Sequence, residues 1–234
     1  MYWKSTCVWT LACCLMCVVL IGAEEEVGSD KQANRWEDDI RKFENWDSKN
    51  SFVKDAVLFV GSSSIRMWRT RDCFDGMPVI NRGFGGSQIS DVNTFFHRIV
   101  APYKPRVIVL YAGDNDVAAG KTPHRVFVDY RKFVALVHEH LAGTPVVFIG
   151  IKPSGRRWEM WSDMADANQM IRRHARKHSD LFYFNSAEPL LNDKGRPDDS
   201  LFLADRLHLN DNGYAVWTES LRPIIESAMR GMER

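Results

Sequence analysis

Five short apolar runs punctuate this chain, at Ala56–Val60, Pro78–Asn81, Arg106–Tyr111, Pro145–Ile151 and Leu181–Asn185. Their apolar residues are continuous rather than alternating, which is how a strand reads when both of its faces are covered. Between them, Gln88–Val100, Pro123–His140 and Asp163–His178 carry apolar residues at helical spacing, and a last helix is predicted from about Asn212 to Ala228. Strand and helix in alternation predict a central parallel sheet with helices on both faces, an α/β three-layer α/β/α sandwich. No linker, repeat or low-complexity tract divides residues 24–234, which are long enough to bury one core. A single domain is therefore expected.

Ahead of the first strand, Trp36, Ile40, Phe43 and Trp46 recur at spacings of four, three and three, on one face of an amphipathic helix. Core packing is the expected role of that aromatic face. The first 23 residues follow a different pattern. Lys4 precedes an apolar stretch from Val8 to Ile21, and Gly22-Ala23 stands before Glu24-Glu25-Glu26. Fourteen residues fall short of the roughly 20 that cross a bilayer, so residues 1–23 read as a cleaved export signal, with an uncleaved anchor as the alternative. That predicts a periplasmic or extracellular protein with no membrane partner beyond such an anchor.

Processing changes the composition in two ways. Four of the five cysteines (Cys7, Cys13, Cys14 and Cys17) lie in the leader, so Cys73 alone remains and a disulfide framework is excluded; half-buried packing is its expected role. The formal charge of +1 falls to zero with the loss of Lys4. A balanced, dispersed charge argues against a nucleic-acid partner and against capture of substrate by a long-range field.

Ligands of open parallel sheets bind beyond the carboxyl ends of the strands, and the unusual residues of this chain gather there. Gly61-Ser62-Ser63-Ser64 follows the first run, Gly83-Phe84-Gly85-Gly86 the second, Gly113-Asp114-Asn115-Asp116 the third, and Lys152 to Trp158 the fourth. Near the C-terminus Asp205 and His208 stand three residues apart. A serine hydroxyl is unreactive at neutral pH without a base, and a histidine oriented by a carboxylate is such a base. Each piece has a plain alternative. Three serines in a row can cap a helix, an Asp-x-x-His pair can be a structural turn, and the glycines can serve a tight turn. The other histidines fall in or beside helical segments and lack a strand-end setting. Asp114 and Asp116 could suggest a metal, but no spaced His or Cys cluster accompanies them, so no metal and no cofactor is expected.

In their order along the chain these pieces resemble the SGNH hydrolases, the GDSL-like lipase and esterase superfamily, from about Ala56 to Tyr214. Asn81-Arg82-Gly83-Phe84-Gly85-Gly86 and Gly113-Asp114-Asn115-Asp116 carry the resemblance best. It implies a flavodoxin-like sheet, Ser63 as nucleophile, Asp205 and His208 as the rest of the catalytic set, and Ser63, Gly86 and Asn115 as oxyanion donors. The chain departs from the family's Gly-Asp-Ser element, with Ser62 in place of the aspartate. Ser62, Asp114, Trp158 and Trp161 are the further candidates for touching substrate.

The activity implied is hydrolysis of a small ester through an acyl-enzyme. Export and the lack of a long apolar lid favour a small acyl group, acetyl, on a polar molecule such as an acetylated carbohydrate. The family also holds lysophospholipases, thioesterases and arylesterases, and a catalytically silent carbohydrate-binding protein on the same scaffold is the reading from another class. The sequence does not specify the oligomeric state.

Overall fold

The five apolar runs form five strands in a computed structural model that describes residues 35–231: β1 (Val57–Gly61), β2 (Val79–Gly83), β3 (Val107–Tyr111), β4 (Val146–Ile149) and β5 (Leu181–Phe184). All pair in parallel, in the order β2-β1-β3-β4-β5, with Val57 level with Val79 on one side and Val107 on the other. The chain falls into two units, residues 1–38 and 39–234. In the first, the described residues 35–38 are helical. The leader expected at residues 1–23 lies outside the described residues, and among those described no helix is long and apolar enough to cross a membrane.

In the second unit a helix over residues 39–47 (α1) precedes β1. The helices that follow are α2 (Ser63–Arg66), α3 (Thr70–Cys73), α4 (Ile89–Thr94), α5 (Phe96–Ile99), α6 (Asp114–Ala118), α7 (Pro123–His140), α8 (Trp161–Ala175) and α9 (Asp211–Gly231). Because side chains alternate along a strand, each strand feeds two cores. Val57, Phe59, Val109, Tyr111 and Ile149 pack with Ile65, Trp68 and the α9 residues Trp217, Leu221 and Ile225. The opposite face carries Leu58, Leu110 and Phe148, whose ring meets Tyr130 of α7 at 5.2 Å. Helices thus cover both faces, which is why the inner strands β1, β3 and β4 are apolar throughout.

Two expectations need correction. Residues 88–100 form two helices rather than one, broken at Phe95 (φ −93°, ψ 7°). Phe95 and Phe96 are both buried, yet adjacent residues on one continuous helix point about 100° apart. The break lets both rings reach the interior. The second correction is Trp46, which is 52% exposed rather than packed in the core. Its ring flanks the Arg82 guanidinium, 5.7 Å from the ring centre, beside a groove lined by Phe52, Val53 and the edge strand β2. Ile40 on the same helix is buried as expected, and Cys73 is a free, half-buried thiol packed against the core.

Candidate active site

β1 reverses direction over one residue. Gly61 adopts φ 136°, and a Cβ there would lie 1.8 Å from the Tyr111 carbonyl oxygen, so no side chain fits. That proximity allows the Ser62 N–H to donate to the Tyr111 carbonyl at 2.9 Å, tying the turn to β3. Ser63 then opens α2 with its hydroxyl at the carboxyl end of the sheet. The short helix is held from two sides. Asn81 donates its amide to the Ile65 and Trp68 carbonyls (2.8 and 3.1 Å), and Tyr214 donates its hydroxyl to the Ser64 carbonyl at 2.9 Å.

Across the chain, His208 meets this turn. Its Nε2 lies 3.0 Å from Ser63 Oγ, and its Nδ1 lies 2.6 Å from Asp205 Oδ2. The other oxygen, Asp205 Oδ1, accepts from the backbone N–H groups of Leu207 (2.9 Å) and His208 (3.0 Å), so the carboxylate is fixed by its own turn. Burial works against charge on Asp205, but the hydrogen bonds from the His208 ring and the two N–H groups outweigh it and bring the carboxyl down to about 2. An anionic acceptor at Nδ1 sets the tautomer that leaves Nε2 free to take a proton. The structure thus brings Ser63, His208 and Asp205 into one hydrogen-bonded line.

The two predicted donors lie in the turns that follow β2 and β3. Gly86 (φ 77°) lies in the turn after β2. Asn115 lies in the first turn of α6, and its Nδ2 donates one of two hydrogens to the Ser87 carbonyl at 3.0 Å, leaving the other. The Gly86 and Asn115 turns are tied together by Asp116, whose carboxylate accepts from Ile89 N–H at 3.2 Å and receives Lys121 Nζ at 2.9 Å. Gly113, at φ 126°, permits the approach of Ile151, whose Cδ1 would stand 2.5 Å from any Cβ.

Two of the predicted substrate contacts are not available to substrate. Ser62, the N-cap of α2, is fully buried and its hydroxyl has no hydrogen-bond partner. Asp114 is 4% exposed and belongs to a buried charge cluster. Its Oδ2 lies 3.3 Å from Lys152 Nζ and 3.0 Å from Arg157 Nη1, and Lys152 also reaches the Tyr111 hydroxyl at 3.2 Å. Burial opposes charge on Asp114, but the two cations hold its carboxyl below the usual range. Trp158 and Trp161 remain half-buried and stack on each other, ring centres 6.2 Å apart at 14°, with the Arg196 guanidinium 4.4 Å from the centre of Trp158.

Lys152 and Arg157 are the site residues that sequence reasoning passed over individually. The available signal was a lysine directly after the apolar run of β4, at the carboxyl end of a strand, where parallel sheets place their ligand crevices. Among the described residues no group of three or more His, Cys, Asp or Glu is placed to hold a metal ion.

Comparison with known proteins gives the same picture at family level. No curated protein sequence matches the chain. Solved structures do match in fold. One is a Streptococcus pneumonia protein provisionally described as a platelet activating factor (17% identity, TM-score 0.73, covering 87% of this chain and 99% of that one). Another is a GDSL-like lipase from Bacteroides thetaiotaomicron (18%, 0.69, 81% and 98%). A third is a catalytic mutant of an acetylxylan esterase from Geobacillus stearothermophilus (16%, 0.61, 74% and 95%). The model of the GDSL-like lipase/acylhydrolase family matches residues 64–216, a span that opens one residue after Ser63 and includes Asn115, Asp205 and His208. With well over half of its length inside that match and an SGNH-type sheet beneath it, the chain belongs to the GDSL-like lipase/acylhydrolase family and is a serine esterase.

Proposed function

We propose that Ser63, His208 and Asp205 are the catalytic triad of this esterase, and that it removes acetyl groups from a polar, carbohydrate-like substrate. The observation that carries the reading is the 3.0 Å approach of His208 Nε2 to Ser63 Oγ across 145 positions of sequence. His208 takes the hydroxyl proton as Ser63 attacks the ester carbonyl, and the carbonyl oxygen becomes an oxyanion. The Gly86 N–H, the second Nδ2–H of Asn115 and the Ser63 N–H supply donors to it. His208 passes its proton to the departing alcohol, leaving an acyl-enzyme. Water, deprotonated by the same imidazole, then releases the acid and restores Ser63.

Three features favour a sugar as the alcohol. The segment whose Arg157 reaches Asn115 also carries the stacked Trp158–Trp161 pair, and aromatic rings of this kind suit the apolar face of a sugar. A fold neighbour is an acetylxylan esterase. Export, suggested by the pattern of residues 1–23, would bring the enzyme to such polymers.

Mass spectrometry of the protein treated with a fluorophosphonate should map a single adduct to Ser63. Ser63→Ala should lose the adduct and about 10⁴-fold or more in kcat. Unchanged turnover by folded S63A would end the assignment. Acetylated xylo-oligosaccharides are expected to exceed aryl acetates and lysophospholipids in kcat/KM. A preference for lysophospholipid would overturn the carbohydrate reading and leave the triad intact.

A further inference from the structure

We propose that Arg157 is a positioning residue that decides which way the Asn115 amide faces, and with it whether the oxyanion meets a donor. This rests on the reading of Asn115 as an oxyanion donor. A primary amide is nearly symmetrical in shape, so turning it by 180° exchanges Nδ2 for Oδ1 with little steric change. For an oxyanion site that turn is decisive, since it replaces an N–H by a carbonyl oxygen whose lone pairs repel the developing charge.

In this protein two partners remove the ambiguity. Arg157 Nη2 donates to Asn115 Oδ1 at 2.9 Å, and Nδ2 donates to the Ser87 carbonyl at 3.0 Å. A guanidinium has only donors and a carbonyl only lone pairs, so each tolerates one orientation of the amide. Both set the remaining Nδ2–H free.

Arg157 is itself held. Its Nη1 stands 3.0 Å from Asp114 Oδ2, and the same oxygen is 3.3 Å from Lys152 Nζ. Lys152 is 1% exposed and cannot withdraw into water. Asp114 closes the circuit by accepting from the Asn115 backbone N–H at 3.1 Å. Two cations and one anion leave a net positive charge behind the amide, of the sign that favours an oxyanion in front of it. The segment also touches the turn that carries His208. Arg156 N–H donates to the Arg206 carbonyl at 3.0 Å, and Gly155 has no Cβ where the Arg206 guanidinium passes. Residues 155–157 therefore span from the Asp205–His208 turn to the oxyanion side of Ser63.

A double-mutant cycle on an acetyl ester separates positioning from mere packing. Arg157→Ala should lower kcat by about 10- to 100-fold with KM changed less than about threefold, and Asn115→Ala by about 100-fold or more. In the N115A background, R157A should cost almost nothing further, because no amide remains to orient. Methylguanidine in the assay should restore part of the rate of R157A and none of that of R157A/N115A. Should R157A fail to fold, the cycle is run with Arg157→Lys, whose ammonium keeps the charge but presents no planar fork, and the same loss of effect in N115A is expected. Full multiplication of the two effects, or an unchanged kcat in both Arg157 variants, overturns the positioning role and leaves the oxyanion assignment standing. An unchanged kcat in N115A overturns both.

Discussion

At the residue scale, the candidate site works by removing freedom from a few groups. Asp205 is the clearest case, with both carboxylate oxygens occupied by its own turn and by the His208 ring. Replacing it by Asn should leave the turn but offer the imidazole a group that can present the wrong partner, and kcat should fall on the order of 10³- to 10⁴-fold in steady-state assays. The pH behaviour follows from the sign of its shift. The folded carboxyl titrates near 2, below its ordinary 3.8, so its stabilising effect is complete above about pH 4 and is lost as pH falls through about 2. Asp205 therefore keeps its charge throughout the neutral range. The margin in thermal midpoint of wild type over D205N should shrink as pH falls from about 4 to about 2, and an unchanged margin across that range would count against this account. Gly61 is constrained more severely. Ala at this position would meet the Tyr111 carbonyl at 1.8 Å with φ already at 136°, so Gly61→Ala should destabilise by about 3 kcal/mol or more in denaturant titrations. The sequence placed this glycine at the end of the first apolar run. It could not reveal that the obstacle is a carbonyl of β3, fifty positions away, because strand neighbours are not written in the spacing.

Elements show the same division between what is local and what is not. Five continuous apolar runs announced five buried strands, and α7 was legible from its period alone. Where the local pattern failed, long-range packing had decided. Phe95 and Phe96 split one predicted helix into α4 and α5, and Trp46 left the core to lie against Arg82. Arg82 is itself the hub of an element-scale clamp. It is 7% exposed, pairs with Asp47 of α1, donates to the Tyr103 hydroxyl and lies 4.7 Å from the centre of that ring. Tyr103 in turn donates to Asp47, and burial together with that carboxylate raises its phenol well above the ordinary range. Three segments (α1, β2 and the turn at Ala101–Tyr103) thus meet at one buried cation. Asp47→Ala would leave Arg82 with its carbonyl and phenol partners but without its counter-charge. A loss of about 3 kcal/mol is expected, at the lower end of what a broken buried pair costs, and with it a fall of about 6–12 °C in thermal midpoint.

For the whole molecule, strand order gives meaning to the scattered motifs. From β1 the chain moves outward to β2 and then returns across to β3, so the crevice between the carboxyl ends of β1 and β3 is a topological switch point. Ser63 follows β1 and Asn115 follows β3, which is why residues about fifty positions apart belong to one crevice. His208 comes to the same crevice by a different route, on the loop before α9, and the packing of α9 holds it there. Tyr214 of that helix stacks on Trp68 at 5.4 Å and bonds to the Ser64 carbonyl, while Trp217 lies fully buried against Trp68, Tyr111 and Phe184. The aromatic cluster beneath the candidate site therefore joins the helix that opens with Ser63 to the helix that follows His208. Trp217→Ala would empty the centre of that cluster and orphan the Ser186 carbonyl that accepts from its indole N–H. Large-to-small changes of this kind cost about 3–5 kcal/mol. The denaturant midpoint should fall accordingly with an unchanged slope. Because Trp217 packs against Tyr214, whose hydroxyl holds the Ser64 carbonyl of α2, kcat should also fall in the fraction that remains folded, with fluorophosphonate labelling of Ser63 slowed in step. A variant that lost the stability but labelled at the wild-type rate would show that the Asp205–His208 turn holds its place without α9.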